Sequence, residues 1–219
     1  MKVIKASHKK HVYSKWLQSE LYRMKNKLSK EDIEIIEKPN LEDDVENRRR
    51  ENLLFDKYGR SAILEKLPSE ITWHEVAIEE EDIGKLYLIP VFDWFMDTGR
   101  TFKLENTVKH LSPNRGFNLA EDNKGAVVHH DKAEIIAKLQ QKNLDDIVMI
   151  STSLKDKPIT IIDGTHRSAF LIRNNNLVGT KGFLGIASNL SDCLWSIERA
   201  SMQNDLQELS QYAAIGMLW

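Results

Sequence analysis

Residues 159–171 read ITIIDGTHRSAFL, and this stretch determines the class of fold that we expect. It opens with three isoleucines and a threonine, a β-branched composition typical of a buried strand over 158–162. Asp163 and Gly164 then indicate a turn, and the residues after them predict a helix over 165–174. A strand that leads through a glycine turn into a helix is typical of the α/β class.

The rest of the chain continues this succession of strands and helices. Alternation and helical periodicity predict further strands at 71–78, 127–128, 147–151 and 182–187, and helices at about 12–28, 48–66, 79–88, 131–142 and 194–209. We divide the chain into a helical N-terminal extension, 1–70, and an α/β domain, 71–219. Residues 91–125 lack a clear period and predict an irregular insertion or a lid within that domain.

Composition is that of a globular protein rather than a disordered or fibrous one. The 219 residues are 41% hydrophobic and 29% charged, and the formal net charge is −2. A single cysteine, Cys193, cannot form an intramolecular disulfide, and the N-terminus lacks the zones of a signal peptide. The longest apolar run, 86–92, contains Pro90 and is far shorter than the roughly 20 residues of a spanning helix. We therefore expect a cytoplasmic protein with no membrane segment.

Charge is distributed unevenly near the N-terminus. Residues 1–30 carry nine Lys or Arg against the single acid Glu20, whereas 31–47 carry eight acids against Lys38. The basic segment predicts an amphipathic helix that docks on the core, with its lysines in solvent. A basic stripe could alternatively bind nucleic acid or anionic lipid. The arginine triplet 48–50 is interpreted as surface charge.

The start of the helix predicted after Gly164 carries the chemistry of this segment. Free backbone N–H groups form the positive end of that helix, and residues 165–167 place a hydroxyl, an imidazole and a guanidinium beside them. This set suits an oxyanion, above all phosphate, because a guanidinium can bind two phosphate oxygens at once. In a purely structural alternative, Asp163 would cap the helix, Arg167 would pair with a surface acid and His166 would be half-buried.

The run DGTHRSA, residues 163–169, resembles the signature of the ParB/sulfiredoxin-like superfamily. In that superfamily a strand ends in a glycine turn, and the helix start after the turn binds phosphate. The free-serine kinase branch also has a His-Glu pair that opens an earlier helix. Here His130 and Asp131 open a predicted helix, and Asp163 follows Asp131 by 163 − 131 = 32 residues. The resemblance covers 126–185, is closest to that branch, and implies a mixed sheet with a ParB/sulfiredoxin-like core.

The resemblance implies roles for individual residues. Asp131 would be the catalytic base that accepts the proton of a substrate hydroxyl, and His130 would hold the leaving or the transferred phosphate. The donor would be ATP or ADP with Mg²⁺ on its phosphates, and the acceptor would be a hydroxyl of a small molecule. The residues of the phosphate-binding turn would be Asp163, Gly164, Thr165, His166, Arg167 and Ser168, with His166 also in the catalytic set.

Three residues outside the 163–169 run are accessory candidates for the site. Glu75 would be a second acid near the site if its strand lies beside the strand that ends at Asp163. Arg100 and Arg115, in the irregular insertion, would close over an anion or face solvent.

Two other functions stay open from the sequence. The chain could be a ParB-like nucleotide-binding or nucleic-acid-associated module without kinase activity. Against this, the sequence has no strongly basic domain, and no helix-turn-helix pattern follows the 163–169 run. It could also be a non-catalytic interaction protein that keeps the fold. No dedicated metal site is expected, because the adjacent pair His129-His130 lacks the spacing of zinc ligands.

Overall fold

The computed structural model describes residues 1–110, 144–193 and 195–198, and their framework is a six-stranded mixed sheet. The strands run in the order β1-β2-β6-β4-β5-β3 across the sheet. Their bounds are β1 Lys2–Ser7, β2 Thr72–Ala77, β3 Leu86–Leu88, β4 Ile147–Ser151, β5 Ile159–Asp163 and β6 Lys181–Ile186. The expectation of an α/β fold with a mixed sheet is therefore confirmed.

The sheet contains both antiparallel and parallel pairs. Strand β2 is antiparallel to both β1 and β6, and β4 is antiparallel to β5. The pairs β4/β6 and β3/β5 are parallel. The β1/β2 register shifts between Val3 and Lys5, so the edge strand is irregular.

The two strands β4 and β5 form the centre of the core. Every residue of both strands is buried. Because successive side chains of a strand point to opposite faces, continuous burial means that both faces of the sheet are covered here. This explains why these strands have runs of β-branched residues rather than alternating apolar and polar residues.

Seven α-helices surround the sheet in the described part of the chain. Their bounds are α1 Lys9–Met24, α2 Lys30–Glu37, α3 Asp44–Asn52, α4 Ser61–Leu64, α5 Phe92–Asp97, α6 Thr107–His110 and α7 Thr165–Arg173. Short 3₁₀ segments lie at Lys25–Lys27, Glu80–Lys85, Leu104–Asn106 and Ser188–Asp192. Within the described residues, we find no helix that combines the length and the apolar character needed to cross a membrane.

The N-terminal segment contributes to the same sheet and core as the rest. Helix α1 has the amphipathic character expected from the sequence, and its Trp16 and Leu17 are fully buried. Strand β1, which the sequence did not predict, pairs with β2 along the edge of the sheet. Residues 1–70 therefore supply an edge strand in addition to the expected helices.

Two predicted helices differ from the structure. The helix expected at 79–88 is wrong, because the capping residues Glu79 and Asp82 start only the 3₁₀ segment, and the chain then extends as β3 to pair with β5. The helix expected at 48–66 is divided by a π-helical turn, Leu53–Lys57, and by Gly59 with φ +61°.

The remaining predictions fall in two groups. Residues 91–110, expected to be irregular, contain α5 and α6. The strand expected at 127–128, the helix at 131–142 and most of the helix at 194–209 lie outside the described residues.

Candidate functional site

The candidate site is centred on the turn between β5 and α7. Strand β5 ends at Asp163, Gly164 has φ +81°, and α7 begins at Thr165. A Cβ atom at Gly164 would lie 3.0 Å from Nη2 of Arg167, so glycine satisfies both the backbone angle and the close approach of the guanidinium.

The first turn of α7 has no side-chain cap from its N-cap residue. Its N-cap residue is glycine, which has no side chain to bond the first-turn N–H groups, and the turn contains no acid. Helices α2 and α3 differ, because Ser29 and Asp43 accept hydrogen bonds from their first-turn N–H groups. The α7 start is thus suited to an external anion in a way that these two helix starts are not.

Arg167 is engaged by protein groups on three sides. It is 6% exposed. Nη2 donates to Oδ2 of Asp163 at 2.8 Å and to Oγ of Ser19 at 3.2 Å, and Nη1 donates to the backbone oxygen of Asp145 at 2.7 Å. The sequence favoured a direct fork to phosphate. In the structure, the guanidinium holds together β5, α1 and the segment before β4 beneath Gly164.

Two more charged residues join this pair. Nη2 of Arg60 lies 3.6 Å from Oδ1 of Asp163 and 3.6 Å from Oε2 of Glu20. The four residues Glu20, Arg60, Asp163 and Arg167 form what we call the buried charge network. It contains two acids and two guanidinium groups, as expected for charges that are removed from water.

The carboxyl group of Asp163 has a raised pKa. Burial is the main cause, and the negative charge of Glu20 raises the pKa further, whereas Arg167, Arg60 and the Trp16 indole lower it. The side chain is directed into the network and does not cap α7, whose N-cap residue is Gly164. The purely structural alternative is therefore wrong about Asp163 as a cap and about a surface acid as the partner of Arg167, whereas its half-buried His166 agrees with the structure.

The other residues of the turn have different environments. Ser168 is fully buried, and its hydroxyl donates to the backbone oxygen of Gly164 at 2.9 Å, so it stabilises the turn from inside. The half-buried His166 ring packs against the buried Trp94 at 5.0 Å between centroids. Thr165 is also half-buried at the helix start. The structure thus leaves Thr165 and His166 partly accessible and Ser168 inaccessible.

Two accessory candidates lie away from the turn in the contacts that the structure describes. Glu75 pairs with Lys5 at 3.2 Å on β2, and strands β6 and β4 lie between β2 and β5. Three strand spacings separate β2 from β5 by ~14 Å, so the condition for Glu75 as a second acid is not met. Arg100 is exposed in the loop after α5, and no hydrogen bond or ion pair within the described part links it to the turn.

The remaining predicted site residues cannot be placed. His130, Asp131 and Arg115 lie outside the described residues. Among the residues that are described, no group of three or more His, Cys, Asp or Glu side chains could hold a metal ion. The geometry on which the site rests is therefore that of the turn and the buried charge network.

Sequence reasoning did not assign Glu20, Arg60, Ser19 or Asp145 to the site. One signal was available for Glu20, because it is the only acid in residues 1–30 and lies on the apolar stripe of α1 with Trp16 and Leu17. An acid on the buried face of a helix requires a cationic partner. The sequence does not identify that partner, because Arg60 is far away along the chain.

The comparisons with known proteins add no constraint on the site. Searches against family models, curated proteins and solved structures found no match to this chain. The likeness to the ParB/sulfiredoxin-like superfamily consequently depends on the sequence of residues 163–169 and on the order of the elements around them.

Proposed function

We propose that the chain is a nucleotide-dependent phosphotransferase that acts on a hydroxyl group of a small molecule. The phosphates of ATP or ADP would lie at the first turn of α7, with Mg²⁺ bridging their oxygens. The observation that supports this proposal is the first turn after Gly164, which has no side-chain cap from its N-cap residue, contains no acid and lies beside a buried guanidinium.

The electrostatics of the turn are consistent with phosphate binding. The positive end of the α7 dipole points out of the turn, and no acid in the first turn opposes an incoming anion. Arg167 would act as a positioning residue, because its hydrogen bonds to Asp163 and to the backbone oxygen of Asp145 fix the conformation of the turn.

The transfer step needs a base, and the resemblance assigns it to Asp131. The acceptor oxygen would attack the terminal phosphorus, the bond to the leaving nucleotide oxygen would break, and the acceptor proton would pass to the Asp131 carboxylate. Asp163 does not suit this role, because it is 5% exposed and already pairs with Arg167 and Arg60.

That burial of Asp163 favours a second candidate function. Asp163, the acid of the 163–169 run, is already paired with arginines of the protein, so the turn could bind a nucleotide without catalysing transfer. The chain would then be a nucleotide-binding module of the ParB-like type, with or without a nucleic-acid partner. The two functions share the phosphate site and differ only in turnover.

A substitution at Thr165 tests the phosphate site without disturbing the network. Thr165→Glu adds an acid to the first turn of α7, where it interacts favourably with the helix dipole but repels a phosphate. We expect its melting temperature without ligand to equal or exceed that of the wild type. The stabilisation by ATP or ADP with Mg²⁺, about 2.7 kcal/mol at 100 times the Kd, should disappear.

The matched control is Thr165→Gln, which has a similar size and no charge and should retain the nucleotide-induced shift. An equal shift in wild type and Thr165→Glu would refute the phosphate site. Radiolabelled phosphoryl transfer to a panel of hydroxyl compounds then separates the two candidate functions. Transfer that is lost in Asp131→Asn, with the thermal shift intact, supports the kinase. A shift without transfer supports the binding module.

A further inference from the structure

A serine and a histidine lie side by side where β1 leads into α1, and β1 is four positions along the sheet from β5. Strand β1 ends at Ser7 and α1 begins at Lys9, so only His8 separates the two elements. Oγ of Ser7 lies 3.2 Å from Nδ1 of His11, in the first turn of the helix. A hydroxyl within hydrogen-bond reach of a base is the first requirement for nucleophilic catalysis by serine.

The imidazole ring of His11 is held by packing. It lies edge-on against the buried ring of Phe183 on β6, with 5.3 Å between the ring centroids and 80° between the planes. When the ring proton is on Nε2, Nδ1 accepts a hydrogen bond from the Ser7 hydroxyl. Ser7 and His11 are both half-buried, so the protein fixes the pair and leaves it accessible to solvent.

The surroundings of His11 favour its basic form. Burial lowers the pKa of His11 below its ordinary value of 6.5, and the charges of Lys5 and Lys15 lower it further. The charges of Glu75 and Asp146 act in the opposite direction. A lowered pKa leaves the imidazole mainly neutral at pH 7, and a neutral imidazole can accept the proton of a hydroxyl.

Glu75 supplies an acid beside this pair. It lies opposite Phe183 in the pairing of β2 with β6, and it is half-buried. Lys5 on β1 pairs with its carboxylate at 3.2 Å and holds it at this edge of the sheet. The negative charge of Glu75 favours the imidazolium that forms when His11 takes up a proton. This is the electrostatic part that the acid has in a serine, histidine and acid triad.

We propose that Ser7, His11 and Glu75 form a second active site, which hydrolyses small carboxylic esters. Ser7 is the nucleophile, His11 is the general base, and Glu75 is a positioning residue that acts through His11. Because the charged side chains of Lys5 and Lys15 flank the pair, a short polar ester suits the site and a long acyl chain does not. This activity is independent of the phosphate site at the α7 turn.

The groups of this site balance the reaction. Oγ of Ser7 attacks the carbonyl carbon of the ester, its proton passes to Nδ1 of His11, and the carbonyl oxygen takes up negative charge. The first-turn N–H groups of α1, which His8 does not cap, follow Ser7 in the chain and bind that oxygen. The ester C–O bond then breaks, and His11 returns the proton to the leaving alcohol. Water releases the acyl group by the same proton route and regenerates the hydroxyl, so the products are an acid and an alcohol.

A serine-reactive fluorophosphonate tests the nucleophile directly in the full wild-type chain. The modified residue is identified by mass spectrometry of peptides, and hydrolysis of p-nitrophenyl acetate is measured in parallel. We expect the label on Ser7, and Ser7→Ala should lose both the label and the hydrolysis. His11→Asn should lower the hydrolysis rate about 10²–10⁴-fold, the range that general bases contribute. Ser69→Ala, at an exposed serine outside any helix, is the matched control and should retain both activities.

The pH profile distinguishes a catalytic role from a structural one. Because the base must be neutral, the hydrolysis rate should rise with pH through the pKa of His11 and then level off. Glu75→Gln removes a charge that raises this pKa, so the rise should move to lower pH. Lys5→Gln removes a charge that lowers this pKa, so the rise should move to higher pH. Loss of a structural contact would change the melting temperature without moving the profile in opposite directions.

The outcomes that overturn the proposal are specific. Label on a residue other than Ser7 overturns it, as does hydrolysis by Ser7→Ala at the wild-type rate. Absence of both label and hydrolysis in the wild type also overturns it. Hydrolysis that requires Ser7 but has the same pH profile in wild type and Glu75→Gln removes Glu75 from the site. The melting temperature of each variant identifies loss of activity through unfolding, and labelling of the wild type does not depend on any variant.

Discussion

Gly164 combines two constraints, a left-handed backbone angle and a close contact with a neighbouring side chain. Its φ of +81° disfavours any residue with a Cβ, and that Cβ would also meet the Arg167 guanidinium at 3.0 Å. Gly179 has a φ of +88° with nothing within 4 Å of the added atom, and Gly84 has neither constraint. The three positions therefore separate the cost of the backbone angle from the cost of the contact.

We predict that Gly164→Ala lowers the free energy of unfolding more than Gly179→Ala does. The backbone angle alone should cost about 1–2 kcal/mol at either position, and the contact with Arg167 adds to that cost only at Gly164. Gly84→Ala should change the stability little. Urea unfolding of the three variants measures this order, and equal costs at Gly164 and Gly179 would show that Arg167 moves aside freely.

The half-buried carboxyl group of Asp146 leads to a second prediction, which concerns how the stability of the fold depends on pH. Asp146 has φ +66°, and burial raises its pKa above the ordinary value of 3.8, against the opposing charges of Lys15 and Arg167. Because the folded-state pKa is raised, the stabilising contribution of the protonated group is complete below pH 3.8. It is lost as the pH rises through the folded-state pKa.

Asp146→Asn keeps a residue that tolerates positive φ and removes this titration. We expect the stability of the variant relative to wild type to increase as the pH rises from acid to neutral. The control is Asp156→Asn, at an exposed position with φ +57°. A constant difference between wild type and Asp146→Asn across the pH range in urea unfolding would contradict the prediction.

The N-terminus of α2 has a side-chain cap, whereas those of α1 and α7 have none. The contribution of this cap to stability can be predicted. Oγ of Ser29 accepts a hydrogen bond from the backbone N–H of Asp32 at 3.0 Å. Ser29→Ala should therefore lower the free energy of unfolding by about 1 kcal/mol. Ser69→Ala, at an exposed serine outside any helix, should have a smaller effect, and similar costs in thermal or urea unfolding would show that the cap contributes nothing.

Elements with strong local patterns were predictable from the sequence, and elements that depend on pairing were not. Strands β4, β5 and β6 and helix α7 were expected within a residue or two of their bounds, because β-branched runs and a glycine turn indicate them locally. The pattern predicts helix over the short β3, since the acids before it favour a helix start. Its extended form depends on pairing with β5, which no local pattern reveals. The same reason explains why β1 was missed.

Only the part of the candidate site that consecutive residues form could be predicted from the sequence. The 163–168 turn follows from consecutive residues, but Arg167 reaches Ser19, which lies 148 positions earlier. Contacts at such separation leave no periodic pattern in one sequence. The unusual placement of Glu20 on a buried helix face was the only hint of the network.

At the scale of the whole molecule, the buried charge network joins α1, the residue before α4, β5 and α7. We predict that Arg167→Met destabilises the protein by about 3–5 kcal/mol, because it leaves Asp163 without its closest cation. The double variant Asp163→Asn/Arg167→Met should be destabilised by less than the sum of the two single variants. A double-mutant cycle by urea unfolding measures this coupling, and additive effects would mean that the pair does not act as a unit.

The irregular β1 edge has a consequence for self-association. An edge strand exposes unpaired N–H and C=O groups to which another chain can add, and β1 is mostly exposed, including Val3 and Ile4. Its register shift and the lysines at positions 2 and 5 oppose such addition. At the other edge, β3 is only three residues long, and Tyr87 already bridges to Lys103. Both edges of the sheet thus disfavour the addition of a strand from another chain.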